Sequence, residues 1–318
     1  MEGDGAVKGE RKDPRKELGA AVSALAEQDP RIVILSADSG GSSGFSAFAG
    51  AHPERYFEFG IMEQGVTGIA AGLATTGKIP VFCAIAPFVT CRSYEMFRND
   101  LGYMRQNVKI IGRNGGITYS DLGATHHSLE DYAIMRMIPG AVVLSPQSPA
   151  EIRAAAKAML AHEGPVYMRI GNPPMPEIYD EEPDFTIGKG TVLRPGTDLA
   201  ILSTGSATAD ALEAAELLDA KGISVRVVGF PTVCPIDEEL VIQTAREVGK
   251  LLTVEEHYAH GGLGTLVAEV CAEHCPVPIR MHGIPKEYAT SGPYDDLKAY
   301  YRIDAPGIAQ VAQEFLNK

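Results

Sequence analysis

No run in this sequence reaches the roughly 20 consecutive apolar residues a membrane-spanning helix needs, which excludes an ordinary transmembrane helix. The polar opening MEGDGAVKGERKDPRK also lacks the apolar centre of a secretory signal, so the chain is expected to be cytoplasmic. Clustered positive charge is scarce too. The formal net charge is -13, and Lys and Arg are scattered apart from a short run at Arg11, Lys12, Arg15 and Lys16. Nucleic acid is therefore not an expected partner. A sugar phosphate could still bind, but only where a local arginine or helix N-terminus overrides the global field. The cysteines number only five, an odd count with no CxxC pair, and Cys271 and Cys275 have no other evident metal ligands nearby. Reduced, mostly buried thiols are the expectation for Cys83, Cys91, Cys234, Cys271 and Cys275.

Against these absences stand 45% apolar and 22% charged residues, a composition that folds, and 318 residues, more than one hydrophobic core usually holds. Short β-branched runs predict strands at 31–36, 80–84, 108–112, 141–145 and 165–170, with helical patterns between them. One such helix, at 151–161, follows the Ser148-Pro149 start signal. The stretch NPPMPEIYDEEPD, 172–184, is rich in Pro and acid, has no period, and reads as an exposed linker. A second unit follows, with strands at 199–203, 224–228, 251–255 and 277–281 and helices at 208–221, 237–248 and 264–274. The fold class is α/β in two domains, each a mostly parallel or mixed sheet sandwiched by helices. The divisions expected are 10–171, a linker at 172–188, and 189–318.

Segment 57–73, FEFGIMEQGVTGIAAGL, puts Glu63 at the start of a helix rich in small residues, where backbones can approach closely and a tight interface can form. Taken alone, an acid in a first helical turn is ordinary dipole pairing. The segment resembles the transketolase family, and the resemblance extends across nearly the whole chain. It implies a thiamine diphosphate pyrimidine-binding domain followed by a transketolase C-terminal domain. In that family the glutamate of GIxEQ hydrogen-bonds N1' of the aminopyrimidine and favours the imino tautomer whose N4' takes the proton from thiazolium C2. Glu63 matches that position. A carboxyl in a desolvated interface can share a proton with a ring nitrogen.

Other positions carry the resemblance further. Arg15, in PRKELG, resembles the family's early phosphate-contacting arginine, and Ala37-Asp38 with Ser42 resembles a segment lining the sugar channel, although Asp38 alone equally suits a helix cap. The run IPVFCAIAPFVTCRSYEMFRN looks like the family stretch TFxxFxxxR, with Phe88 on the second aromatic and Arg92 on the arginine. Phe88 would pack on the aminopyrimidine ring. Ile85 stands where the first aromatic is usual, and without the resemblance Phe88 reads as core. Gly123-Ala124-Thr125-His126 matches GxTH, whose histidine contacts hydroxyls around the donor carbonyl, although a lone loop histidine is usually a plain surface group. Arg169, in YMRIG, fits the family's phosphate arginine. VEEH with GGLG, at Val254 to His257 and Gly261 to Gly264, resembles separate transketolase C-terminal subunits. A tight structural turn is the preferred role of those glycines, a nest of amides for an anion the other, and His257 reads as structural or interfacial.

Two positions depart from the family. Leu122 aligns with a usual aspartate and cannot hydrogen-bond a donor hydroxyl, although the adjacent Asp121 can after a one-residue shift. Asn114 aligns with a phosphate-gripping histidine. Both changes point away from the usual pentose and hexose phosphates, while Arg15 and Arg169 keep an anionic sugar in view. Diphosphate and Mg²⁺ in this family need GDG followed about 25 to 30 residues later by Asn. Gly3-Asp4-Gly5 has no such Asn and reads as coincidence. The resemblance thus implies a chain active only with an N-terminal, diphosphate-binding partner subunit, in an α2β2 heterotetramer that also has contacts between like chains. It would move a two-carbon ketol unit between sugar phosphates. Proteins like 1-deoxyxylulose-5-phosphate synthase or the 2-oxoacid dehydrogenase E1-beta chain share the glutamate and fold. The former is normally one long chain, and the latter usually lacks the GxTH loop. A non-catalytic paralogue is the remaining alternative.

Overall fold

Apolar runs too short for helices form the centres of two sheets in the computed structural model, which describes residues 8–317. The strands are β1 (Lys8–Lys12), β2 (Ile32–Ser36), β3 (Tyr56–Glu58), β4 (Ile79–Ile85), β5 (Lys109–Arg113), β6 (Val142–Leu144), β7 (Val166–Arg169), β8 (Met175–Glu177), β9 (Thr191–Arg194), β10 (Leu199–Ser203), β11 (Val225–Gly229), β12 (Thr232–Cys234), β13 (Leu251–Tyr258) and β14 (Ile279–Ile284). Seven of them pair in the order β12-β6-β7-β5-β4-β2-β3, and five in the order β14-β13-β10-β11-β9. All pairings in these two sheets are parallel except β12 with β6 and β9 with β11. Every residue of β2, β5 and β10 is buried, as strands covered on both faces require.

Helices supply those covers. The helices Pro14–Gln28 and Pro149–Ala161 close one face of the first sheet, packing Leu18, Val22, Ile152 and Met159 against Ile34, Val81 and Met168. Ser148 caps the second of these by accepting from the Glu151 amide at 3.2 Å, so the Ser-Pro start signal acts as expected, a cap contribution of about 1 kcal/mol. On the other face the helix Glu63–Ala74 lies against Phe97–Tyr103, a π-helical segment, around Val66, Ala70, Phe97 and Leu101. The second sheet is covered by Ala207–Asp219 and Ala305–Leu316 on one side. Glu238–Val248 and Leu263–His274 cover the other. The α/β class in two helix-sandwiched sheets is thus as the sequence predicts.

Two connections cross the predicted divisions. Within the stretch read as an aperiodic linker, β8 pairs antiparallel with β1. More consequentially, β12 comes from the second half of the chain but adds to the edge of the first sheet, with Thr232 opposite Leu144 and Cys234 opposite Val143. All five cysteines are free; Cys83 and Cys271 are buried, whereas Cys91 is exposed. Among the described residues no helix is long and apolar enough to cross a membrane.

Candidate active site

Parallel sheets gather ligand-binding groups beyond the carboxyl ends of their strands. Glu63 opens its helix there, just past β3, and is 4% exposed. Its Oε2 accepts from Arg92 Nη1 at 2.8 Å. Phe88 belongs to the short helix Ala86–Val89 that follows β4 directly, and the Arg92 guanidinium lies 4.0 Å from the centre of its ring. The other side of the Phe88 group meets His126, with ring centres 5.3 Å apart in an edge-on arrangement. Tyr119 approaches His126 in turn at 5.6 Å, and Thr125 Oγ1 is 3.0 Å from its Nδ1. Four residues singled out in sequence, from three separate segments of the chain, therefore stand side by side. Ile85 ends β4 beside them, opposite Arg113.

The remaining candidates fall into two groups. Arg15, Asp38, Ser42, Asp121 and Leu122 have part of their surface in solvent. Arg15 is forked onto Asp13 at 3.0 and 2.7 Å. Asp38 adopts φ 55°, a left-handed conformation, and its amide donates to Glu58 Oε1 at 2.7 Å. Glu58, which the sequence reading missed, also receives the Gly60 amide at 3.0 Å and so fastens two loops beside Glu63. Ser42 donates to the Ser39 carbonyl at 3.0 Å. Asp121 and Leu122 sit on the turn Ser120–Thr125 that leads to His126, Leu122 being 45% exposed.

Asn114 and Arg169 are buried at 1% and 4% exposure, and both are already engaged. Arg113 donates to the Asn114 amide oxygen at 2.9 Å. Arg169 Nη1 pairs with Asp131 at 3.0 Å, its Nη2 donates to the Glu256 carbonyl, and its guanidinium lies 4.4 Å from the Tyr132 ring. The fork of Arg169, expected from the sequence to meet a substrate anion, is engaged here between the two halves of the chain. Although burial alone would make the guanidinium easier to deprotonate, Asp131 beside it holds its pKa above the ordinary value.

The VEEH and GGLG segments complete that buried network. The Glu255 carboxylate accepts from the amides of Leu263 and Gly264 at 2.9 and 2.8 Å, so the anion in the glycine nest is the chain's own. Burial pushes the Glu255 pKa up to about 7 and that of Glu256 upward as well. Glu256 accepts from the Ile117 amide and the Tyr294 hydroxyl, each at 2.8 Å. Gly116 has φ 65°, and a Cβ there would stand 2.4 Å from Glu256 Oε1 and 2.6 Å from Arg169 Nη2, so the close approach demands glycine. His257 stacks on Tyr132 at 5.1 Å, and burial pushes its pKa down to about 4, which suits the structural reading of that histidine.

A planar ring bearing an in-plane N–H fits the seat formed by Glu63 and Phe88, since a guanidinium already makes those contacts there. Among the described residues no group of three or more His, Cys, Asp or Glu side chains forms a metal site, and the Gly3-Asp4-Gly5 triplet lies outside those residues.

Residues 11–174 match the transketolase pyrimidine binding domain, and 188–308 the transketolase C-terminal domain. One of the subunits of an apulose-4-phosphate transketolase from Phocaeicola vulgatus is 40% identical over 96% of this chain and 97% of its own. The 6-deoxy-6-sulfo-D-fructose transketolase subunit SqwH from Clostridium sp. (strain MSTE9) is 40% identical over 92% and 91%. A solved structure described as a split gene transketolase, inactive beta4 tetramer, superposes with a TM-score of 0.89 at 40% identity, covering 96% of this chain and 98% of that one. With both domain types present and whole-length similarity to subunits of split enzymes, the chain belongs to the transketolase family.

Proposed function

We propose that this chain is the aminopyrimidine-binding subunit of a thiamine diphosphate-dependent transketolase that moves a two-carbon ketol unit between sugar phosphates. A partner chain would hold the diphosphate and Mg²⁺, in a cytoplasmic α2β2 assembly. The observation that carries the reading is the buried Glu63 carboxylate facing an aromatic shelf, Phe88, with His126 beside it. Support for a required partner comes from the related tetramer of beta chains alone, which is described as inactive.

When bound, thiamine diphosphate supplies the nucleophilic carbon and the electron sink for the ketol unit. Glu63 holds the ring through its N1' and keeps a proton there, a task that needs a desolvated carboxyl fixed at a helix start. Phe88 and Ile85 form the wall on which the ring rests. His126 offers a ring nitrogen to the donor's oxygens, held in place by Tyr119 and Thr125. Arg15, forked onto Asp13 but partly exposed where Arg169 and Asn114 are buried, is the arginine proposed to meet a sugar's anionic end, with Asp38, Ser42 and Asp121 as proposed polar contacts. The two relatives are named for different sugars, apulose 4-phosphate and 6-deoxy-6-sulfo-D-fructose. Variation of the sugar on this scaffold agrees with a donor choice set at the rim, where Leu122 replaces an acid.

The test is to co-express the chain with a candidate partner carrying GDG and Asn, and to screen donor and acceptor sugars. Glu63→Ala should lower turnover by about 10²- to 10⁴-fold, or more, while the assembly persists. Retention of more than about a tenth of the activity at saturating cofactor would remove Glu63 from the role.

A further inference from the structure

The two side chains asked to receive a ring are already holding something. Arg92 sits just after the helix Ala86–Val89, its amide donating to the Pro87 carbonyl at 3.2 Å. Its guanidinium lies 4.0 Å from the Phe88 ring centre while Nη1 donates to Glu63 Oε2 at 2.8 Å. The side chain of Glu63 is 5% exposed and that of Arg92 41%, so the carboxylate lies inside and the arginine reaches it from the solvent side. A guanidinium is flat and delocalised, with N–H groups in its plane and π faces above and below. An aminopyrimidine carrying a proton at N1' on the same two residues would present the same features, an in-plane N–H to the carboxylate and a face to the phenylalanine.

We propose that in the free chain Arg92 occupies the aminopyrimidine seat as an internal competitor and must swing out when the ring enters. The inference deepens the proposed function and rests on its assignment of Glu63 and Phe88. A buried carboxylate left without a partner is costly, and the arginine supplies that partner until a ring arrives. The backbone at Arg92 is tied down, so the side chain alone has to move, and a cation this exposed is weakly held. The consequence is a lowered apparent affinity, because only chains with Arg92 displaced can bind.

The probe is 4-amino-5-hydroxymethyl-2-methylpyrimidine, titrated into the isolated full-length chain by calorimetry and ligand-observed NMR. Removing a partly exposed ion pair and a cation–π contact predicts binding about 3- to 30-fold tighter for Arg92→Ala than for wild type. Arg92→Lys should fall between them, since an ammonium pairs with Glu63 but offers no flat face; it also carries the test if the Ala variant fails to fold. Adding Glu63→Ala to either variant should abolish the gain. Equal, weaker or absent binding by the Arg92 variants overturns the competitor, and where that binding still needs Glu63, the proposed function survives. Binding that ignores Glu63 in every background overturns the seat, and both readings with it.

Discussion

Replacing Arg169 by Met separates two readings of one residue. The sequence, with an arginine just past a strand in an open α/β sheet, predicts a substrate anion and hence a sharply raised KM. The structure predicts a loss of stability instead. Asp131, at 0% exposure, would keep the Tyr167 hydroxyl at 2.7 Å but lose the guanidinium at 3.0 Å. Breaking a buried pair by removing one partner costs about 3–5 kcal/mol. The Glu256 carbonyl also loses its donor, but the two losses share one network and will not simply add. Unfolding free energy should therefore fall by about 3–5 kcal/mol in urea. Pairing Arg169→Met with Asp131→Asn should recover part of that, with a coupling of about 0.5–3 kcal/mol. In the reconstituted enzyme the folded variant should keep KM for anionic sugars within about threefold, since that change is worth less than 1 kcal/mol. Wild-type stability together with a tenfold or larger rise in KM would refute this reasoning and return Arg169 to the substrate.

On the proposed function a donor hydroxyl faces Leu122 and goes unpaired at a cost of about 1–3 kcal/mol, so Leu122→Asp should raise kcat/KM for xylulose 5-phosphate about fivefold or more. If wild type already uses that sugar at ordinary efficiency and the variant gains nothing, Asp121 or another group fills the role. Glu255→Gln tests the buried carboxyl by pH: a folded-state pKa of about 7 against 4.5 means the native chain holds the extra proton, so wild-type stability declines as pH rises from about 4.5 to 7. The whole shift is worth roughly 3 kcal/mol. His257, lowered from 6.5 to about 4, slopes the other way, and its Nδ1 lies 3.7 Å from Glu255 Oε2, so the two contributions are coupled and only the sign of the change is read. Urea unfolding at pH 5 and pH 8 should show the decline reduced in the variant, and parallel profiles would reject the assignment.

The central strands and covering helices were readable because each is specified locally. β10 spans the run predicted for it, and the start of Pro149–Ala161 is set by a side chain one residue before it. Elements made by partners far along the chain were not readable. β12 is three residues long and exists through pairing with Val143 and Leu144, and β8 exists through β1. The site divides in the same way. Glu63, Phe88, Arg92 and His126 are each carried by a short motif, the first three soon after strands β3 and β4 and His126 on the loop after β5, and folding brings those motifs together. The surroundings of Arg169 are non-local: Asp131 is 38 residues away and Glu256 is 87 away, in the other half of the chain. No pattern around YMRIG announces either partner. The partner of Asn114 is nearer, since its neighbour Arg113 turns inward to its amide oxygen.

That non-local network also ties the loop presenting His126 to the second domain. The segment that presents His126 begins at Gly116 and returns at Ser128, where the two exchange backbone hydrogen bonds of 3.0 and 2.9 Å. Three further ties come from the second domain: Ile117 donates to the Glu256 carboxylate, Gly292 donates to the Ser120 carbonyl at 3.2 Å, and the Tyr258 amide donates to the Leu129 carbonyl at 3.1 Å. The loop is thus fixed at its start, in its turn and at its end by residues more than 120 positions away. On the proposed function His126 meets substrate oxygens, a task that a loop free to drift could not perform to within a few tenths of an ångström. Docking that loop on β13 and the turn before the helix Tyr294–Tyr301 ties the position of His126 to the closure of the two domains, and Arg169 is the bolt between them.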